Sequence, residues 1–298
     1  MILAASSEDA AFDAKTSTIR IRDDGHVAKI IDGQHRIEGL VNYQGEDKFE
    51  LNVTLFIDMD MEDQAILFST INLKQTPVSK SLAYDLFDYA ETRSPQKTSH
   101  NIATVLNRRP DSPFYKKVMI LGTATGHPNE TLTQAAFIEP LMGYISKDPM
   151  SDRDVLRRKK KLPLATPAEI RVNKLIFRNL FIQERDAEIA KLMFNYFKAV
   201  EERWPDAWGR RQPGLVLNRT TGFRALMKFL PLACLSIGRD FAVPTAEFRR
   251  IFAAMRVEDA DFNPETFKPG SSGQKQLFEK LMRDTKLDEA SLWKNISD

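Results

Sequence analysis

The twelve residues KIIDGQHRIEGL, Lys29–Leu40, join an extended apolar run to a segment with a different period. The residues up to Ile31 are typical of a strand, whereas Ile37 and Leu40 follow at helical spacing. Gly33 lies at the junction and tolerates a positive φ, which tight turns require. The stretch therefore predicts a strand that leads through a glycine turn into a helix.

A turn of this kind is a candidate phosphate site. The first N–H groups of a helix have no acceptor inside it, and they lie at the positive end of the helix dipole. Gly33 lets a ligand approach the backbone, and Gln34 can donate or accept a hydrogen bond. The Arg36 guanidinium can donate two N–H hydrogen bonds to phosphate oxygens. His35 can donate to phosphate or carry a proton near neutral pH.

Asp32 has two candidate roles. An Asp before a helix commonly caps it, and a carboxylate beside a phosphate can hold a Mg²⁺ ion that bridges phosphate oxygens. In the second case Asp32 or His35 would position Mg²⁺ or a water molecule. Both residues would then be catalytic in a slow NTPase, with an NTP and Mg²⁺ as cofactor. Asp-Gly is also a common turn signal, so the residues alone leave the purely structural interpretation open.

The apolar pattern predicts an α+β protein with two parts. Residues 1–95 form a small α/β unit, with strands over 17–22, 27–31 and 49–58 and a helix over 61–73. The DDGH turn joins the first two strands. Residues 96–298 are expected to be mainly α-helical. The helical patterns cover 80–90, 171–182, 187–204, 220–237, 245–257 and 274–284.

Charge is distributed unevenly along the chain. Residues 1–100 hold 17 acidic and 10 basic residues, whereas residues 101–298 hold 24 acidic and 33 basic ones. The basic excess is concentrated in a tract of five cations, which can neutralise DNA phosphates or can simply be a solvated loop. The candidate nucleic-acid contacts in this basic tract are Arg157, Arg158, Lys159, Lys160 and Lys161.

Several classes of protein and site are not expected. No apolar run approaches the roughly 20 residues of a membrane span. Cys234 is the only cysteine, so no internal disulfide can form and a reducing cytoplasm is the expected location. His26, His100 and His127 have no metal-ligand spacing, and no metal site is predicted. PGSSG, residues 269–273, is a weaker anion candidate, expected to begin a helix with Ser271 or Ser272 as the N-cap.

The string IIDGQHRIEGL, residues 30–40, resembles the signature of the DGQHR-domain family. That family includes DndB-like proteins, which are associated with bacterial DNA phosphorothioation, and it is related to the ParB/sulfiredoxin fold. The resemblance covers most of the chain, because three further segments are similar to later family segments. These are FSTINLKQTPVSKSLAYDL (68–86), LNRTTGFRALMKFL (217–230) and FKPGSSGQKQLFEKL (267–281).

The resemblance implies a ParB/sulfiredoxin-like N-terminal unit whose turn binds nucleotide phosphates through Gly33, His35 and Arg36. Gln34 stands where sulfiredoxins have their catalytic cysteine, so sulfinic-acid reduction is excluded because the thiol nucleophile is missing. Asn72 and Gln75 would contact ribose or base, although Asn72 can equally be a helix cap.

The implied function is nucleotide binding in a DNA-modification or phage-defence setting. The alternative is a DndB-like, DNA-binding transcriptional regulator without catalysis. A nucleotide is therefore the expected partner in the first case and DNA in the second.

Overall fold

The computed structural model describes most of the chain, which is mixed α and β as predicted. The described residues are 1–41, 43–45, 49–72, 80–85, 87, 90–120, 125–127, 129–209, 214–238, 242–294 and 296, without the side chains of Glu62, Ala65, Ser69, Asn72, Leu82 and Ala83. The chain divides into two compact units, residues 1–90 (unit 1) and residues 91–298 (unit 2). Unit 1 ends five residues before the expected boundary, because Ser94 already caps the first helix of unit 2 and accepts a hydrogen bond from the Lys97 N–H group.

The described part of unit 1 contains five strands and three α-helices. Its elements are β1 Ile2–Ala5, β2 Ala10–Asp13, β3 Thr18–Ile21, β4 Lys29–Asp32, α1 Gln34–Leu40, β5 Thr54–Ile57, α2 Met61–Asn72 and α3 Lys80–Asp85. Strand β1 lies in the centre of a three-stranded sheet, antiparallel to β4 and parallel to β5. Leu3 is therefore opposite Ile30 on one side and Leu55 on the other.

The two strands predicted around the DDGH turn exist, but they do not pair with each other. Strand β3 pairs with β2 in a separate hairpin, with Phe12 opposite Ile19, whereas β4 pairs with β1. The sequence pattern did not reveal β1 and β2, which supply the actual partners. The strand predicted over 49–58 is shorter than expected and covers only β5, the part that pairs with β1.

Unit 1 buries few large apolar side chains among its described residues. Only Ile31 and Phe87 are buried, together with Ala4, Ala10 and Ala90. Its exposed large apolar side chains are Phe12, Ile19, Ile21, Ile30, Val41, Tyr43, Phe49, Val53 and Met61. The unit therefore gains little hydrophobic stabilisation from its own interior.

The described part of unit 2 is mainly helical and has two short strands. Its helices are α4 Pro95–Arg108, α5 Gln134–Ile145, α6 Pro149–Arg157, α7 Pro167–Asn173, α8 Arg178–Ile182, α9 Asp186–Arg203, α10 Pro205–Gly209, α11 Thr220–Ile237, α12 Thr245–Ala253, α13 Ser271–Thr285 and α14 Glu289–Lys294, with strands β6 Val118–Met119 and β7 Leu132–Thr133. None of the described helices has the length and apolarity that crossing a membrane requires.

Aromatic side chains form the centre of unit 2. The Phe114 ring lies 4.7 Å from Phe197 and 5.0 Å from Phe137, centre to centre, in edge-on contacts. Phe197 and Phe223, from α9 and α11, stack at 5.3 Å. All four rings are fully buried. The apolar stripes of 187–204 and 220–237 are thus core, which confirms the helices predicted there.

The single helix predicted over 171–182 is wrong. The chain forms α7 and α8 instead, because Lys174 adopts a left-handed conformation with φ 58° and ends α7. The turn that follows buries Leu175, Ile176 and Phe177. The turn thus places three consecutive apolar side chains in the interior.

Candidate functional site

The predicted strand-to-helix turn is present in unit 1, where β4 leads through Gly33 into α1. Gly33 has φ 109° and ψ 10° and is the N-cap residue of α1. A Cβ atom added at Gly33 would lie 2.9 Å from the Met1 Cγ atom and 3.2 Å from the Met1 Cα atom. Glycine is therefore required here by its backbone conformation and by the closeness of Met1.

The backbone of the turn leaves two amides available. The N–H groups of Arg36 and Ile37 donate to the Gly33 carbonyl oxygen at 3.0 and 3.3 Å. The preceding amides, of Gln34 and His35, belong to the first turn of α1, where the helix itself supplies no acceptor. Because α1 has only seven residues, its dipole is small, and the side chains must supply most of the attraction for an anion.

Asp32 does not cap α1. The N-cap residue is Gly33, and no side-chain hydrogen bond caps the helix. The Asp32 side chain is half-buried beside the turn. Of the two roles that the sequence left open, only the Mg²⁺ or water-positioning role stays a prediction.

The two basic side chains of the turn, His35 and Arg36, are exposed. His35 Nδ1 lies 3.3 Å from Glu38 Oε2, and the two side chains are 86% and 73% exposed. The exposed Arg36 side chain makes no hydrogen bond or ion pair with the residues that the structure describes. The Arg36 guanidinium can therefore meet a ligand without first leaving another partner.

The charge of the surroundings opposes anion binding at the turn. Residues 1–90 hold 16 acidic and only 8 basic residues, and the Glu38 carboxylate lies one turn along α1 from the glycine. A bound phosphate must therefore gain more from direct contacts than it loses to the field of the unit. A Mg²⁺ ion bound together with the phosphate would offset part of this negative charge.

The predicted ribose or base contacts, Asn72 and Gln75, cannot be placed. Gln75 lies outside the described residues, as does the side chain of Asn72, whose backbone ends α2. Their roles stay predictions. No three His, Cys, Asp or Glu side chains come close enough to share a metal ion among the residues that were searched, which are the described ones.

The basic tract follows the end of α6 in unit 2. Arg157 is the last residue of α6, Arg158 is its C-cap residue, and Lys159 is left-handed with φ 54°. The Lys159 and Lys160 N–H groups donate to carbonyl oxygens of the last helical turn, at 2.9 and 3.1 Å. Cations here interact favourably with the negative end of the helix, so the tract also has a structural role. The side chains of residues 158–161 are exposed.

The predicted serine cap in PGSSG is wrong. The N-cap residue of α13 is Gly270, with φ 92°, and no side chain caps the helix. The Gly270 N–H group donates to Thr221 Oγ1 at 3.0 Å. A Cβ atom at Gly273 would lie 1.7 Å from the Lys268 carbonyl oxygen, so the second glycine is required for close packing of the chain around the helix start.

Two features of unit 2 were not foreseen from the sequence. Lys117 is buried, and its Nζ atom donates to the carbonyl oxygens of Trp208 and Gly209 at 3.1 and 3.3 Å. Burial lowers the pKa of Lys117, although Glu201 opposes this effect.

The second feature is a groove of about 600 Å³ between α4 and α9. The apolar spacing of Ile102 and Val105 in the polar segment 95–108 was the available signal for it.

The resemblance to the DGQHR-domain family stays a prediction, because it rests on the residues quoted for it and on nothing else. No family model, no curated protein and no solved structure matches the chain.

Proposed function

We propose that the turn Asp32–Arg36 binds the phosphate groups of a nucleotide. The observation that carries this proposal is the exposed Arg36 guanidinium, which is unengaged within the described structure and lies one helical turn from Gly33. The Gln34 and His35 amides and the exposed His35 imidazole belong to the same turn. The guanidinium and the two amides are donors, and the imidazole can donate as well.

The expected affinity is modest. A hydrogen bond to a charged group contributes about 1.5–3 kcal/mol, and exposure to water reduces this value. Loss of the Arg36 contact should therefore weaken binding roughly tenfold or more. The acidic surroundings lower the affinity further, which favours a nucleotide that arrives with its Mg²⁺ ion.

The nucleotide proposal extends to catalysis through Asp32 and His35. The half-buried Asp32 carboxylate, which is not used as a helix cap, would hold Mg²⁺ or a water molecule, and His35 would carry the proton. A slow NTPase is the reaction class that fits these two groups.

The resemblance to DGQHR-domain proteins supplies the biological setting of the proposal. It supports a ParB/sulfiredoxin-like fold for unit 1, and a role in DNA modification, such as phosphorothioation, or in phage defence. The cheapest test of this setting is whether the neighbouring genes encode DNA-modification or restriction enzymes. Neighbours of unrelated function would count against it.

Calorimetric titration tests the phosphate site directly. The wild-type protein is titrated with ATP, GTP and CTP in the presence of Mg²⁺, and the same titrations are repeated with Arg36→Ala. Binding that is lost or weakened at least tenfold, with an unchanged far-UV circular dichroism spectrum, is the expected result. Arg20→Ala, which removes another exposed arginine from unit 1, is the matched control and should bind as the wild type does. Equal affinity of the Arg36→Ala and wild-type proteins would reject the site.

A second function, DNA binding, is favoured by the basic tract. Four consecutive cations, Arg158–Lys161, are exposed, and residues 91–298 hold 35 basic and 25 acidic residues. Each phosphate that the tract neutralises should contribute about 0.9 to the slope of log K against log salt. Replacement of these four residues by serine should therefore weaken binding to duplex DNA and flatten the slope by roughly 3 to 4. A wild-type protein that does not bind DNA at low salt would exclude this function.

A further inference from the structure

Helices α4 and α9 run side by side in the same direction and leave an open groove between them. Near the start of both helices, Thr98 Oγ1 donates to Asp186 Oδ2 at 3.0 Å. Beyond the end of α4, the Arg109 guanidinium lies 5.0 Å from the centre of the Phe194 ring. The α4–α9 groove follows about 16 Å of α4, since each residue adds about 1.5 Å. Its volume of about 600 Å³ lies within the range of small-molecule sites.

The floor of the α4–α9 groove is apolar. It is formed by Ile102, Val105, Leu106, Ala187, Ala190 and Phe194. The two alanines keep the space open, because their side chains end at Cβ. Val105 is 56% exposed, in a unit where only three other large apolar side chains are exposed among the described residues. An apolar ligand body on this floor would remove that surface from water.

The charged groups at the two ends of the groove are already paired. The Asp186 carboxylate accepts from Arg93 as well as from Thr98. Arg109 donates to both carboxylate oxygens of Asp111, at 2.6 and 2.8 Å. Neither end therefore offers an unbalanced charge to a ligand.

One cation on the groove makes no direct ion pair. The exposed Lys191 ammonium forms none with the described part of the chain, although its charge helps to lower the pKa of Glu188. The acidic residue one turn before it, Glu188, is held by Arg185 through two bonds of 2.6 and 2.7 Å. The exposed Asn101 also lines the groove and makes no side-chain hydrogen bond to described residues. An ammonium group without a direct ion pair and an amide without a hydrogen-bond partner among the described residues thus border an apolar floor.

We propose that the α4–α9 groove binds an amphipathic monoanion, an aromatic or aliphatic acid. The apolar body lies on the floor against Ala187, Ala190 and Phe194, and the acidic group meets the Lys191 ammonium and the Asn101 amide. One cation that is not held in a direct ion pair matches one negative charge, which distinguishes this ligand class from polyphosphates. The site lies entirely in unit 2 and does not depend on the phosphate turn of unit 1.

Two fluorescent probes test whether the groove binds an apolar ring system and whether it recognises a negative charge. 8-Anilino-1-naphthalenesulfonate carries an apolar ring system and one negative charge, whereas N-phenyl-1-naphthylamine has the same ring system and no charge. Both are titrated into the full-length protein. A saturable site for the anionic probe, with one probe per chain, is the expected result.

Three variants locate the site. Ala187→Trp fills the floor from an exposed position, so the protein should fold normally and lose the saturable site for both probes. Ala190→Trp should have the same effect from a half-buried position. Lys191→Gln should weaken binding of the sulfonate roughly fivefold and leave the uncharged probe unchanged. Lys275→Gln removes another lysine of unit 2, with a 74% exposed side chain, and should change neither affinity.

Three results would overturn the proposal. The first is the absence of a saturable site for the anionic probe in the wild-type protein. The second is wild-type binding by the folded Ala187→Trp protein, which would place the probe elsewhere, for example on the apolar surface of unit 1. The third is an equal effect of Lys191→Gln on both probes, which would show that the groove does not recognise the charge.

Discussion

Gly33 and Met1 lie in direct contact, so that a Cβ atom on the glycine would approach the Met1 Cγ atom to 2.9 Å. This relationship fixes the path of the chain between β4 and α1. It also gives the turn a shape that no other residue type can reproduce without strain.

Gly33→Ala should destabilise unit 1 and impair the turn. A non-glycine residue at φ 109° costs about 1–3 kcal/mol, and the displacement of Met1 adds to that cost. Thermal unfolding and nucleotide titration together measure the effect. Gly39→Ala changes a glycine of α1 that has nothing within 4 Å of its Cβ position, and should be neutral or stabilising. A Gly33→Ala protein with wild-type stability and affinity would contradict the structure of the turn.

Arg178→Ala should cost about 3–5 kcal/mol of unfolding free energy. The Arg178 guanidinium forms a bidentate ion pair with the Asp152 carboxylate, and both side chains are only 12% exposed. Removal of the arginine leaves a largely buried carboxylate without its charge partner. Chemical denaturation measures the loss. Arg250→Ala removes a 77% exposed arginine that pairs with Glu247, and should change stability by less than about 1 kcal/mol.

The double variant Asp152→Ala, Arg178→Ala checks the cause of that loss. It removes both charges, so its destabilisation should be clearly smaller than the sum of the two single effects. Additive effects would show that the pair contributes no coupling energy.

Asp284 should contribute to stability only at higher pH. Burial raises the pKa of the Asp284 carboxyl, but hydrogen bonds from Lys280 Nζ, at 2.8 Å, and from the Arg256 N–H group, at 3.1 Å, outweigh it. The folded-state pKa therefore lies below the ordinary value. The contribution is present above the unfolded pKa of about 3.9, and it is lost as the pH falls through the lower folded pKa.

Melting temperatures measured between pH 2 and pH 7 test this contribution. Asp284→Asn should lower the melting temperature near neutral pH, and the difference from the wild type should shrink below about pH 4. Glu265→Gln, at an exposed position, is the control. A difference that stays constant with pH would exclude the electrostatic explanation.

Cys234 should be unreactive in the folded protein. It is 6% exposed, and burial raises the pKa of its thiol, so almost no thiolate forms near neutral pH. A disulfide reagent such as 5,5′-dithiobis(2-nitrobenzoate) should label it only after denaturation, with one thiol per chain. Because the chain has no other cysteine, the labelling rate also reports the opening of unit 2. Rapid labelling of the native protein would contradict the buried position.

The sequence by itself determined the helices with continuous apolar stripes and the glycine turn. The stripes of α9 and α11 predict their own burial, because a 3.6-residue period brings their apolar side chains to one face. Gly33 predicts a sharp turn because its local conformational freedom is a property of the residue alone. These features depend on neighbours in the sequence and can be derived from it.

Only the tertiary structure decided which elements pair and which side chains are free. Three features depend on residues distant in the sequence or on what the chain must bury. They are the pairing of β4 with β1 and of β3 with β2, the left-handed conformation that ends α7 at Lys174, and the N-cap of α13 at Gly270. The α4–α9 groove depends on how two distant helices pack, and the absence of a direct ion pair at Lys191 depends on which carboxylates other cations have already engaged. Long-range contacts, and the competition between cations for the same carboxylates, are set by distances in space. Those distances cannot be derived from the spacing of residues along the chain.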